Sequence, residues 1–176
     1  LTTNNEGNFV LSWIKEDSSS GEGTMYYAVS TDQGQSFGRP RIIPPSKGVE
    51  PHGENMPKII FKKNGEVLAV FGVSAPSAGN DYTGRIRYTQ SFDGGKTWGA
   101  ALPLTQDTSS FDERYFDVAL LPDGEVGSTW LNNSEPAGST VYYAVTKGRS
   151  GFIHARIIGN HACQCCRTDL FADTEG

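Results

Sequence analysis

The 176-residue sequence has no apolar run approaching the roughly 20 residues that a membrane-spanning helix needs, so no helical span is expected. It has no basic run either. Its 15 Lys and Arg are outnumbered by 20 Asp and Glu, giving a formal charge of -5, so a nucleic-acid partner would find no electrostatic footprint. Cysteine is scarce: all 3 lie within "CQCC" at 163–166, and an odd, clustered set differs from the distributed pairs of a disulfide framework. The redox compartment therefore stays open. The first residues, "LTTNNEGNFV", lack the basic and apolar regions of a secretory leader, which is also what removal of a leader would leave. What the chain does have is 21 Gly and 9 Pro beside 36% hydrophobic and 11% aromatic residues. That is a globular composition with many tight turns, which points to β-structure with a core of ordinary domain size.

One unit is written three times. "STDQGQSF" at 30–37 returns as "SFDGGKTW" at 91–98, about 60 residues further on, a repeat length that belongs to supersecondary units. An alternating segment precedes each copy, "TMYYAVS" and "RIRYTQS", and a short apolar one follows, "RPRIIP" and "GAALPL". A third, degenerate copy, "TVYYAVTKGRSGFIHARII" (140–158), keeps Tyr142, Tyr143 and Phe152 but has lost the Asp. Between the copies lie hairpins of a second type, "KIIFKKNGEVLAVFG" (58–72) and "DVALLPDGEVGSTWL" (117–131), with Asn64-Gly65 and Asp123-Gly124 as tight-turn signals. Each unit thus holds four short antiparallel strands, the arithmetic of a β-propeller blade. The expected blades cover about 1–56, 57–115 and 116–168, with 169–176 as the first strand of another. Three blades do not close a ring, because propellers need at least ~4. The missing blades are expected from a longer polypeptide or from a second copy meeting edge to edge.

Within the octapeptide, Asp32 or Asp93 can accept backbone N–H bonds across the turn that Ser30 or Ser91 opens. Gly34 or Gly95 can take positive φ, and the ring of Phe37 or Trp98 can tuck beneath the loop. The device staples a hairpin. This pattern resembles the Asp-box, or BNR repeat, of the sialidase superfamily. "HGENMPKI", "YTQSFDGGKTW", "RYFDVALLPDGEV" and "CQCCRTDLF" are together similar to the first half of bacterial exo-α-sialidase-like proteins. The resemblance covers nearly the whole chain and implies an all-β fold, a six-bladed sialidase-type propeller of which this chain supplies about three blades. It also implies an exported, periplasmic or cell-surface protein. In that superfamily the box lies away from the substrate face, so a structural role is expected for it rather than a catalytic one.

The opposite face would carry the segments that lead into each first strand. Aligned on Gly65, Gly124 and Gly176, these are "EPHGENMPK" (50–58), "SFDERYFD" (110–117) and "HACQCCRTD" (161–169). The alignment makes Asn55, Arg114 and Cys166 equivalent, and likewise Lys58, Asp117 and Asp169, as a polar ring around a shared funnel. Arg114 and Arg167 could clamp a carboxylate, with Asp112, Glu113, Glu54 and Tyr115 nearby for acid, base or nucleophilic work, and with His52, Asn55, Asp117 and Asp169 as further substrate contacts. Sialidases use an arginine triad, an acidic residue and a Tyr nucleophile paired with Glu, so the resemblance implies these roles here. The structural alternative is that the arginines neutralise neighbouring carboxylates. One departure stands out: the superfamily's Phe/Tyr-Arg-Ile-Pro motif is absent, and "RIIP" at 41–44 follows an Asp-box on an outer strand.

On an extended strand His161, Cys163 and Cys165 would share one face while Cys166 would point away, giving a soft donor set for Zn²⁺ or Cu(I) with His52 as a conceivable fourth ligand. A disulfide to a cysteine elsewhere, or reduced buried thiols, would explain the cysteines equally well. Trp13 and Trp130, and the pairs Tyr26-Tyr27 and Tyr142-Tyr143, recur at equivalent positions, which favours packing over sugar stacking. Asp81 and Tyr82 sit in a long loop on the ligand side. Three readings follow: a propeller that binds and hydrolyses terminal acidic sugars of glycans, needing no cofactor; a non-catalytic carbohydrate- or protein-binding propeller; and a metal-dependent propeller built on the His/Cys cluster.

Overall fold

The computed structural model describes residues 1–53, 56–76, 83–106, 112–133 and 138–173. Its twelve strands, among the described residues, form three four-stranded antiparallel meanders. The first is β1 (Thr2–Thr3), β2 (Phe9–Glu16), β3 (Gly23–Ser30) and β4 (Arg41–Ile42); the second is β5 (Lys58–Phe61), β6 (Val67–Ser74), β7 (Gly84–Ser91) and β8 (Leu102–Pro103). The third is β9 (Glu113–Leu120), β10 (Val126–Asn132), β11 (Ser139–Thr146) and β12 (Phe152–Ala162). In each sheet every strand neighbours its sequence neighbour, as expected for a blade. The chain divides into two compact units, Leu1–Val73 with Arg87–Leu102, and Ser74–Ile86 with Pro103–Gly176.

In the first unit the period-2 pattern of "GTMYYAVS" sends Met25 and Tyr27 to a fully buried face. There they join Val10, Ile43, Val49, Ile59, Val67, Ala69 and Phe71 in one apolar cluster, with Trp98 packed against its edge. Tyr27 meets Phe61 edge-on at 6.0 Å between ring centres. In the second unit β10 is buried along its whole length, so "VGSTWLN" carries Trp130 and Leu131 without the usual polar alternation. Trp130 stacks on its cross-strand partner Tyr142 at 5.5 Å, and Trp13 on Tyr26 at 6.1 Å. The repeated aromatic pairs thus serve as cross-strand packing within their sheets.

The tight turns form where the sequence places them. Gly65 and Gly124 adopt φ of 87° and 83°, and Asn64 and Asp123 accept the N–H of Glu66 and Glu125 through their side chains. "NNEGN" repeats the device in the first sheet, with Asn4 Oδ1 accepting the N–H groups of Glu6 and Asn8.

Two differences from the expected boundaries have physical causes. The third sheet begins at Glu113 rather than at 116, because β9 continues through a bulge: Thr129 pairs with Asp117 and Leu131 with Arg114, leaving two β9 residues opposite Trp130. Glu113, Arg114, Tyr115 and Asp117 therefore stand on a strand, not in the loop before it. Of the expected strand at 169–176, residues 174–176 lie outside the described residues; at 169–173 no strand is formed, and the Leu170 N–H bonds to the Asp117 side chain.

Candidate functional site

The Asp-boxes fold as staples. Ser91 Oγ donates to Asp93 Oδ1 at 2.8 Å and accepts the Gly95 N–H, while Asp93 accepts the Thr97 N–H at 2.8 Å and the Thr97 hydroxyl at 2.6 Å. Ser30, Asp32, Gly34 and Ser36 repeat this arrangement atom for atom. Both carboxylates are held at about 2, chiefly by the Ser36 or Thr97 hydroxyl, then by that residue's N–H and the Ser30 or Ser91 hydroxyl. Gly95 has a further reason to be glycine: at φ of 84° a Cβ would come within 2.6 Å of Tyr27 Oη. Trp98 is half-buried against the core, whereas Phe37 stays 37% exposed, so the ring tuck is tighter in the second box. In the third blade, where the Asp is lost, Glu125 reaches over from the hairpin turn. It accepts the Thr146 hydroxyl and the Gly148 N–H. Thr146 ends β11 as Ser30 and Ser91 end β3 and β7, so a carboxylate from another turn fulfils the box's role.

The residues around the β9 bulge come together in the second unit. Asp112 is buried, 3% exposed, and its oxygens are taken: Oδ1 accepts the Gly84 N–H at 2.8 Å, Oδ2 accepts Asn133 Nδ2 at 2.7 Å, and Arg114 Nε lies 2.5 Å from Oδ2. Asn133 is oriented in turn by the Ser139 hydroxyl, which donates to its Oδ1. Glu113, also buried, accepts the Ile86 N–H through Oε2 at 3.1 Å. Arg114 keeps 35% of its side chain in solvent, and its guanidinium lies 5.7 Å from the Tyr115 ring centre. Partial burial pulls its pKa down, but hydrogen bonding and charge from Asp112, then from Tyr115, more than offset this and raise it. The cation is firmly fixed.

Tyr115 has φ of 54°, a left-handed backbone that an aromatic residue rarely adopts and that costs on the order of 1–3 kcal/mol. The bulge turns its carbonyl away from the ladder, and Thr168 takes it with both its N–H and its hydroxyl. The same hydroxyl lies 3.3 Å from the Thr129 carbonyl, and two residues on, the Leu170 N–H donates to buried Asp117 at 2.9 Å. The segment after β12 is thereby pinned along β9. Arg167 and Asp169 flank the pinning residue and are exposed. Of the expected site residues, Asp112, Glu113, Arg114, Tyr115 and Asp117 thus share one body with residues 167–170. His52 is exposed and belongs to the first unit; Glu54, Asn55, Asp81 and Tyr82 lie outside the described residues. Sequence reasoning passed over Asn133, Ser139 and Thr168. The only signal for them was the polar density of "LNNSE" and "RTD" beside strand ends.

The sulfur cluster differs from the extended arrangement expected for it. Residues 163–166 form a turn closed by the Cys166 N–H to the Cys163 carbonyl at 3.3 Å, so Cys166 swings back to its neighbours instead of pointing away. The Sγ atoms of Cys163, Cys165 and Cys166 all lie within 4.8 Å of one another, and His161, on a bulge of β12 with φ of 60°, is not part of this group. Cys163 and Cys165 sulfurs are 2.9 Å apart; all three thiols are free and exposed. The Cys163 thiol is drawn down to about 7, first by the Cys165 thiol's hydrogen bond and then by the Cys165 N–H, while Cys165 and Cys166 are pushed up, foremost by their bonds to Cys163.

Three consecutive four-stranded meanders, two of them closed by the same Ser/Asp/Gly staple, are blades of a β-propeller. Two solved structures with TM-scores above 0.5 bear out this fold. The α-L-arabinofuranosidase Arb93A of Fusarium graminearum matches with a TM-score of 0.60 and 18% identity over 86% of this chain and 45% of its own. A protein of unknown function from Dyadobacter fermentans matches with a TM-score of 0.60 and 19% identity over 90% and 50%. The NanB sialidase of Streptococcus pneumoniae matches at 0.46, with 14% identity over 84% and 23%. The chain spans about half the length of the first two. No family model matches it, and no curated protein does.

Proposed function

We propose that this chain forms part of a six-bladed, exported propeller that binds terminal acidic sugars of glycans, with Arg114 as the carboxylate clamp. The observation that carries the reading is the state of Arg114. Its guanidinium is braced from behind by a buried carboxylate, lies beside an aromatic ring and keeps a third of its surface in water. A cation held this way meets an anion with little further ordering, which is where preorganised sites gain affinity. Arg167, next to the Thr168 pin, is the second candidate for the clamp, and Asp169 is a candidate for sugar hydroxyls. Asp112 and Glu113 already accept backbone N–H groups. We assign Asp112 to holding Arg114 and Glu113 to bracing the strand, which leaves Tyr115, on its strained backbone, as this chain's candidate nucleophile for an exo-glycosidase step. The Fusarium enzyme was solved with arabinobiose and with an iminosugar inhibitor, which supports sugar binding as a use of this fold.

The test is a glycan array and a fluorogenic sialoside assay on the intact protein. Binding of acidic glycans that falls at least tenfold in Arg114→Ala and partly recovers in Arg114→Lys is the expected result. Acidic-glycan binding that ignores Arg114→Ala overturns the clamp. Binding without turnover, equal in wild type and Tyr115→Phe, removes the hydrolase step and leaves the binding propeller.

A further inference from the structure

We propose that the turn at 163–166 is a three-thiolate site for a soft d10 cation, Cu(I) or Zn²⁺, formed by the Sγ atoms of Cys163, Cys165 and Cys166. The proposal does not rest on the sugar reading. Three thiols converge within 4.8 Å on an exposed turn, where no apolar packing explains their approach. Metal–sulfur bonds of about 2.3 Å place sulfurs that share one ion roughly 4 Å apart. The Cys163–Cys165 pair, now 2.9 Å apart, must open by about 1 Å, while the other separations, none above 4.8 Å, already lie within reach of that spacing, so a small side-chain adjustment suffices.

The backbone that carries the thiols is fixed at both ends. Ala162 pairs with Ser139 in the β11–β12 ladder, and Thr168 is pinned to Tyr115 and Thr129. The five residues between these anchors are closed by the Cys166 to Cys163 backbone bond, so much of the ordering that a metal would otherwise impose is already present. Gly138, just before β11, adds to the upstream anchor: at φ of 139° it packs against the end of β12, and a Cβ there would stand a tight 3.1 Å from the His161 Cα. Thiolate-only coordination selects soft ions, and each coordinated thiol releases its proton to solvent on binding. With three protein donors among the described residues, Cu(I) would be held trigonally and Zn²⁺ would keep one open position for water.

The experiment titrates the reduced, intact protein anaerobically with Cu(I) against a chromophoric chelator and, separately, with Zn²⁺, using Co²⁺ as spectroscopic reporter. One equivalent of at least one ion, with thiolate-to-metal charge-transfer absorption, is expected. Cys163→Ser, Cys165→Ser and Cys166→Ser should each weaken it by more than the roughly 10–100-fold that loss of an outer-shell partner costs. His161→Ala should leave stoichiometry and spectrum unchanged. The exposed positions of the three cysteines mean that the variants should melt like wild type, which circular dichroism checks. Failure to bind either ion, or binding that needs His161 and survives Cys166→Ser, overturns the site.

Discussion

Asp112→Ala tests the brace behind Arg114 more sharply than any change to Arg114 itself. Removing the carboxylate orphans two partly buried donors, the Gly84 N–H and Asn133 Nδ2, each costing about 1–1.5 kcal/mol when left unmade. The Arg114 pair adds less, because a guanidinium with 35% of its side chain in water recovers hydration; such pairs are worth about 0–1 kcal/mol. The expected loss is about 3 kcal/mol, a large share of the stability of an ordinary domain. It would lower the melting temperature by roughly 6–12 °C in a chain of this size. Urea denaturation followed by tryptophan fluorescence measures it as a fall in midpoint with an unchanged slope. Because Asp112 and Asn133 share a bond, Asn133→Ala in the Asp112→Ala background should cost at least ~0.5 kcal/mol less than in wild type. A loss below ~1 kcal/mol, or strict additivity of the two substitutions, would show that Asp112 is not the shared anchor of Gly84 and Asn133.

Three further outcomes are expected. Asp32 and Asp93 titrate at about 2 in the folded chain, below the ordinary carboxylate value, so the stability they supply is complete above pH ~4 and is lost as pH falls toward 2; the double variant Asp32→Asn, Asp93→Asn should show a flatter fall in urea midpoint across that window. Gly95→Ala should destabilise more than Gly124→Ala, because both require a left-handed alanine, costing about 1–2 kcal/mol, but only the former drives a methyl into Tyr27 Oη; adding Tyr27→Phe should erase the excess, as thermal melts would show. Tyr27→Phe alone should raise stability or leave it unchanged, since the buried Tyr27 hydroxyl has no hydrogen-bond partner among the described residues; a loss above ~1 kcal/mol in denaturant titration would mean that the hydroxyl is satisfied.

What could be read in the sequence was what is local. The Asp-box bonds run from a residue to its second or fourth neighbour, and the hairpin turns close within five residues, so "SFDGGKTW" and "PDGE" carry their geometry in their own spacing. The aromatic pairs were legible by repetition. The site was not, because its decisive bonds join distant segments: Asp112 to Gly84 and Asn133, Thr168 to Tyr115, Glu125 to Gly148. Period-2 reasoning also misplaced Cys166. A strand pattern assumes continued extension, and nothing in "HACQCC" announces that the backbone turns at 163 and leaves His161 behind.

Arg114, if it is the clamp, senses the charge of the ligand. Isothermal titration of the intact protein with an acidic monosaccharide, and with the same sugar reduced from carboxylate to alcohol, separates charge from shape in wild type and Arg114→Met. Wild type is predicted to prefer the carboxylate by at least tenfold, and Arg114→Met to bind both alike. A preference that persists undiminished in Arg114→Met would rule out Arg114 as the clamp.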